Sequence, residues 1–411
     1  MSISFEWLID PVTPEEFFRD YYEKKPLLIE ARDRSKFNPL LSIDAIDRFL
    51  ATTSPCHPDV FLVDAARELS PEDYSFQSGM PQGRLDLPRV YQHFNSGSTI
   101  AISHLHESLP ELAGLCRAVE RSFSGHFQTN IYLSPPNAQG FKTHFDSHDV
   151  FVLQASGSKL WTLNDTLIEL PLHGQAFEPD RHIPGPVTRE LTLRSGDLFY
   201  CPRGLFHAAR STDEVSLHIT LGLIGKTWAD AMAEAVSEAC LASPAFRANL
   251  PVGFADEPFD REAARRTFRA LVDKFAKETS LDPILDRLVE DFVKSRRPDF
   301  VGGLKELHEA PEITAGTRVV AKPDIVYLLR KEGEQLSIFF GSTQITLPSF
   351  TAESVRRALH GSPISVRDLP GQLDEAGKVV LVKRLIKEGL LTRAESAVPS
   401  LARSAETTLV A

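Results

Sequence analysis

The spacing of apolar residues changes character three times along the chain. Up to about residue 125 it is mixed. "DPVTPEEFFRDYYEKKPLLIE" predicts a helix capped by Thr13, with Pro14 at its first position, and then a strand over residues 26–30. "SIDAIDRFLA" and "LPELAGLCRAVERSF" carry apolar residues at helical spacing. From residue 130 to 223 short apolar or alternating runs take over: "NIYLS", "DVFVLQ", "KLWTL", "RELTLR", "DLFYCP" and "VSLHITLGL", with Gly, Pro, Asn and Ser between them. That texture predicts an all-β block, a barrel or a sandwich.

Helical spacing returns at residue 228 with "WADAMAEAVSEACLA", "DREAARRTFRALVDKFAKE" and "DPILDRLVEDFVKS". A compact last unit follows, with strands "TRVVAK", "DIVYLLR", "LSIFFG" and "TQITLP" and helices "TAESVRRALHG" and "EAGKVVLVKRLIKEGLL". The expected class is α+β. The expected boundaries are a domain containing the β-block at 1–227, a helical region at 228–315, a winged-helix-like domain at 316–395 and a flexible tail at 396–411.

Composition narrows the function. The 411 residues suffice for two or three domains, and 42% hydrophobic with 25% charged residues is globular. A net charge of −11 argues against a broad nucleic-acid or membrane surface. Four scattered cysteines, none in a CxxC pair, suit a reducing compartment. The N-terminus lacks a basic-then-apolar signal pattern and no apolar run has the length of a membrane span, so a soluble cytoplasmic protein is expected.

The candidate chemistry lies in "GFKTHFDSHDVFVLQASGSKLWTL", where two histidines and two aspartates precede an apolar run. His144 and Asp146 are two apart, so on a strand both side chains face one side and can share an ion. "LRSGDLFYCPRGLFHAAR" offers a third ligand, His207, after a Gly-Asp turn and a Pro–Gly loop. Two histidines and one carboxylate leave positions open on an octahedral ion and favour non-haem Fe(II). The plainer alternative is an aspartate capping a turn and a histidine packed in the core. His148 and Asp149 are rival ligands, but adjacent residues on a strand point to opposite faces and cannot chelate together. Both are read as supporting residues or as the substrate rim.

The segments "NIYLSPPNAQGFKTHFDSHDVFVLQASGSKLWTL", "SGDLFYCPRGLFHAA" and "SLHITLGLIGKTW" resemble the JmjC ribosomal oxygenases. The resemblance implies a double-stranded β-helix of the JmjC/cupin kind, a helical dimerisation region and a C-terminal winged helix. It also implies Fe(II) as cofactor, with 2-oxoglutarate and O2 as co-substrates, and His144, Asp146 and His207 as the iron ligands. Lys159, thirteen residues after Asp146, matches the basic residue that pairs with the distal carboxylate of 2-oxoglutarate. An ammonium inside the apolar strand "SKLWTL" needs an anion on physical grounds too. Asn130 and Tyr132 match pocket residues for the oxo-acid or the target side chain, and Thr220 matches a co-substrate contact. His218 shares the face of Thr220 and could support it. "SHD" and "CPRGLF" depart from the family pattern, the former near where a target side chain would enter, and Lys159 does not choose between arginine and histidine, so both stay open as targets.

The expected function is hydroxylation of a protein side chain, with an arginine or histidine of a ribosomal protein as the candidate target. The partners implied are that protein or peptide and a second copy of the chain, with no specific DNA binding and no membrane. Two alternatives stand beside it: an oxygenase acting on a biosynthetic peptide or small molecule, and a non-enzymatic cupin/winged-helix adaptor or regulator.

Overall fold

The computed structural model describes residues 3–78 and 81–394, so the expected tail at 396–411 lies outside the described residues. The chain divides into two compact units, one ending at Gly225 and the next starting at Lys226.

Among the described residues the first unit carries ten strands: β1 (Leu27–Ile29), β2 (Val60–Val63), β3 (Thr99–Ser103), β4 (His126–Ser134), β5 (Asp149–Ser156), β6 (Ser158–Leu167), β7 (Val187–Arg194), β8 (Leu198–Cys201), β9 (Leu205–Ser211) and β10 (Ser216–Ile224). Seven form an antiparallel sheet in the order β1-β8-β5-β10-β4-β3-β2, and three form a second in the order β7-β6-β9. Strand alternation divides the large sheet into two faces. Phe127, Ile131, Phe151, Leu153, Ile219 and Leu221 enter one core behind it. Val150 and Val152 point the other way and pack with Trp161, Leu163, Leu191 and Leu193 of the small sheet.

Helices cover the back face. The helix Pro14–Asp20 forms because Thr13 accepts a hydrogen bond from the Glu16 amide and Pro14 occupies the first position, where its missing N–H is not needed. Its Phe17 ring meets Tyr200 of β8 at 4.9 Å between centroids, and Phe5 meets Phe123 of the helix Pro110–Phe123 at 4.8 Å. Burial of Phe5 and of Phe17 contributes about 1.5–3 kcal/mol each. Together they brace β5 and β8, the strands behind the candidate site. β2 and β3, which the sequence reading left as undivided mixed texture, extend the sheet on its far side.

The second unit begins with helices Trp228–Ala242, Arg261–Glu278 and Leu281–Ser295, where helical spacing predicts them. Its last part has β11 (Arg318–Ala321), β12 (Leu328–Glu332), β13 (Gln335–Phe340), β14 (Thr343–Pro348), β15 (Ile364–Ser365) and β16 (Leu391–Arg393), with helices Ala352–Leu359 and Glu375–Lys387. Two three-stranded sheets result, β15-β11-β16 and β12-β13-β14. The strand expected over "DIVYLLR" starts only at Leu328. Asp324 takes a left-handed φ of 54°, which interrupts an extended run. No helix of the described residues is long and apolar enough to cross a membrane.

Candidate metal and co-substrate site

A cavity of about 680 Å³, counted to its open mouth, lies in the first unit. Asn130, Tyr132, His144, Asp146, Lys159, His207 and Thr220 all line it. Alternation accounts for the gathering. Asn130 and Tyr132 are the inward residues of β4, His218 and Thr220 those of β10, and Lys159 and Trp161 those of β6.

His144 and Asp146 are not on a strand, contrary to the expectation from their spacing. β5 starts at Asp149, and the two residues sit on the connection before it. The connection is held extended by a single bridge to β9: the His144 amide donates to the His207 carbonyl at 3.0 Å, and the His207 amide to the His144 carbonyl at 2.8 Å. A third bond, from the Gly204 amide to the Asp146 carbonyl at 2.8 Å, fixes the next turn. Gly204 takes φ +84°, and a Cβ there would fall 1.8 Å from the Ile168 carbonyl oxygen, so only glycine fits.

This scaffold brings the ligand atoms of His144, Asp146 and His207 within 4.8 Å of one another. His207 Nε2 lies 3.6 Å from Asp146 Oδ2. Each imidazole is oriented by its own backbone. His144 Nδ1 lies 2.8 Å from the Lys142 carbonyl, and His207 Nδ1 lies 3.0 Å from the Leu205 carbonyl. A carbonyl can only accept, so Nδ1 carries the proton in both rings and Nε2 is left as the free donor atom. Burial, with His144 adding to it, lowers the His207 pKa against the pull of Asp146, which favours the neutral, metal-binding form. Two imidazoles and one carboxylate on one side fit a divalent ion of the Fe(II) type with positions left open.

Further into the cavity the polar groups change sign. Lys159 is 3% exposed, and its Nζ donates to Ser134 Oγ at 3.0 Å and approaches His218 Nδ1 at 3.5 Å. Ser134 Oγ in turn lies 2.9 Å from Thr99 Oγ1. No carboxylate of the described residues pairs with this ammonium, and burial lowers its pKa to about 7. His218 is stacked on Tyr132 at 5.0 Å, and burial, with Lys159 adding to it, pushes its pKa well down, so it stays neutral. Burial pushes the Tyr132 phenol up, so it keeps its proton. Asn130 Oδ1 and Trp161 Nε1 are buried in the cavity wall without a protein partner. A buried cation and orphaned polar atoms around one cavity fit a carboxylate-bearing ligand.

Sequence reasoning did not single out Thr99, Ser134, Phe141, Trp161 or Cys201, which border the site. Ser134 was within reach, being two residues beyond Tyr132 on the same strand face. Thr99 was not, because nothing local marks β3 as the neighbour of β4. The reading of Asp149 as rim is corrected. Asp149 is 2% exposed on the opposite face, where its carboxylate accepts from the Tyr200 hydroxyl and burial raises its pKa. His148 lines the cavity.

The fold and site define a JmjC-type domain of mixed α+β content, and residues 102–231 match the JmjC domain. Among curated proteins, the chain is 27% identical over 94% of its length to the bifunctional lysine-specific demethylase and histidyl-hydroxylase NO66 of Aedes aegypti, covering 67% of that protein. It is 29% identical over 82% of its length to ribosomal oxygenase 1 of Rattus norvegicus, covering 61% of it. The Culex quinquefasciatus NO66 protein is 30% identical over 72% of this chain and is covered to 47%. The chain thus spans about half to two thirds of these relatives. Among solved structures, Escherichia coli ycfD aligns over 93% of this chain and 98% of its own, with a TM-score of 0.55 at 13% identity. The same protein in complex with cobalt and succinic acid aligns over 93% of this chain and 99% of its own, with a TM-score of 0.53 at 14% identity. These matches show a shared fold.

Proposed function

We propose that the chain is an Fe(II)- and 2-oxoglutarate-dependent oxygenase that hydroxylates a protein side chain, with ribosomal proteins as the substrate class. The observation that carries the reading is one cavity with His144, Asp146 and His207 converging in it and the buried, anion-seeking Lys159 in its wall. His144, Asp146 and His207 would hold the iron. Lys159, aided by Ser134, would bind the distal carboxylate of 2-oxoglutarate, and Asn130, Tyr132 and Thr220 would orient the oxo-acid or the target. When bound, Fe(II) with 2-oxoglutarate and O2 supplies the oxidation, in which 2-oxoglutarate becomes succinate and CO2 and a C–H becomes C–OH. The protein aligns the reactants and, through Val150, Val152 and Trp161, keeps the wall dry.

Charge chooses between the two candidate targets. Asp146 is the single carboxylate among the cavity-lining residues described, and the metal set uses it. A guanidinium or ammonium would enter with no carboxylate to meet it, at a desolvation cost. An uncharged imidazole carries no such cost, so histidine is the better target. The NO66 relatives are named as histidyl-hydroxylases, which agrees.

We read the two facing sheets as the double-stranded β-helix and residues 316–394 as a winged helix. Exposed apolar side chains on the helical region, among them Met232, Leu241, Phe268 and Val272, support a homodimer. The free thiols support a reducing compartment such as the cytoplasm.

The test is to incubate the iron-loaded chain with 2-oxoglutarate and extracted ribosomal proteins, measuring succinate and +16 Da products by mass spectrometry. A +16 Da histidine accompanied by succinate is expected. The absence of both overturns the proposal.

A further inference from the structure

With His148 where it stands, Gly222 on β10 has no room for a side chain. An ideal Cβ there would lie 2.7 Å from Nε2 and 2.8 Å from Cδ2 of His148, closer than real Cβ contacts come. Its backbone does not require glycine, since Gly222 is absent from the positive-φ residues. What a Cβ at 222 would meet is the imidazole of His148, which rests directly on the strand and would have to move.

The position matters because His218, Thr220 and residue 222 form one inward row on β10. The first two line the cavity, and at the third the ring of His148 replaces a β10 side chain. Asp149, the first residue of β5, is turned into the opposite core, where it accepts from the Tyr200 hydroxyl, and His148, in the bend just before it, lines the cavity.

His148 is half-buried and lies outside the His144–Asp146–His207 set. No hydrogen bond joins its ring to another described residue. The wall thus presents an imidazole with donor and acceptor capacity beside Asp146 and His207.

We propose that His148 is a specificity-determining residue: its imidazole hydrogen-bonds the uncharged polar side chain admitted for hydroxylation, and Gly222 is the seat that lets it do so. The inference rests on the oxygenase reading of the same cavity.

The test uses the iron-loaded full chain. A tryptic digest of ribosomal proteins is read for +16 Da products, and the peptide that the wild type modifies then serves for kinetics. His148→Ala should raise the KM for that peptide about tenfold, the value of one well-made hydrogen bond. The KM for 2-oxoglutarate should stay within twofold, which also shows that the fold and the co-substrate pocket are intact. His148→Asn, which keeps a polar amide, should recover part of the loss. Gly222→Ala should displace the ring and reproduce the His148→Ala effect, and the double variant should be no worse than either single one. If the wild type modifies a peptide and both single variants keep its KM within twofold, this inference alone falls. If the wild type modifies no peptide and forms no succinate, the proposed function falls with it. If it forms succinate but modifies no peptide, the role of His148 in protein-substrate choice is overturned while the oxygenase reading stands.

Discussion

His144 and His207 exchange two backbone hydrogen bonds across a single bridge, and their rings stand 4.7 Å apart between centroids. Sixty-three residues of sequence separate them, yet each helps place the other. The proposed ligand set therefore depends on the backbone at this bridge as well as on the side chains.

Removing a ligand should separate metal binding from folding. His144 is only half-buried, so His144→Ala should abolish hydroxylation and weaken Fe(II) or Co(II) binding in calorimetry, with a small change in Tm. His207 is 5% exposed, and His207→Ala should lose the same activity and also about 1–3 kcal/mol of stability. Retained hydroxylation in a metal-stripped and reloaded His144→Ala protein would remove these residues from the iron site.

Lys159→Ala should act on the co-substrate. Breaking a buried ammonium–carboxylate pair costs about 3–5 kcal/mol, so the 2-oxoglutarate KM should rise at least ~100-fold, far more than the peptide KM. Lys159→Arg keeps the charge and a bidentate fork, and should recover part of the loss. An unchanged 2-oxoglutarate KM in the alanine variant would rule the anchor out.

The pH dependence follows from the same residue. Burial lowers Lys159 to about 7, and a carboxylate beside its Nζ favours the charged form. The described groups facing Nζ are Ser134 and His218, and His218 is held neutral, so Lys159 is the group that titrates. Binding of 2-oxoglutarate at pH 8 should take up a proton, and affinity should weaken as pH rises above about 7. Calorimetry in two buffers of different ionisation enthalpy measures the uptake directly, and a value of zero contradicts the assignment. Without ligand the sign reverses. Between about 7 and the ordinary 10.5 the unfolded chain binds a proton that folded Lys159 does not, so stability should rise with pH across that window.

The helical region should hold two copies together. Phe268 is 67% exposed and Val272 lies one helical turn on, also exposed, in the helix Arg261–Glu278. Light scattering at micromolar concentration should give a dimer, and Phe268→Glu with Val272→Glu should shift it towards monomer. A monomeric wild type would exclude this assembly.

The C-terminal part should not bind duplex DNA with sequence preference. Residues 316–395 hold twelve Lys+Arg against nine Asp+Glu. In the helix Glu375–Lys387 one of the basic residues, Arg384, is already paired with Glu388 at 2.6 Å, while Leu381, Val382, Leu385 and Ile386 are buried. Anisotropy at about 150 mM salt should show no sequence-dependent binding tighter than roughly 10⁻⁷ M.

The sequence by itself determined the elements whose signals are local. Thr13 and Pro14 start a helix through their own hydrogen-bonding geometry, and alternation puts Asn130 with Tyr132 on one face of β4 and His218 with Thr220 on one face of β10 before any neighbour is known. The HxD spacing and the later His207 marked the candidate ligands for the same reason, since each residue type carries its chemistry with it. What needed partners distant in the chain was decided by the tertiary structure alone. His144 and Asp146 lie off any strand because a single bridge to β9 holds them. Lys159 meets Ser134 and His218 because β4 and β6 belong to two facing sheets. His148 finds its place in the cavity wall because Gly222, distant in the chain, leaves its ring space. Side-chain volume and buried hydrogen-bond demand are settled by what packs opposite, and one-dimensional spacing does not contain that information.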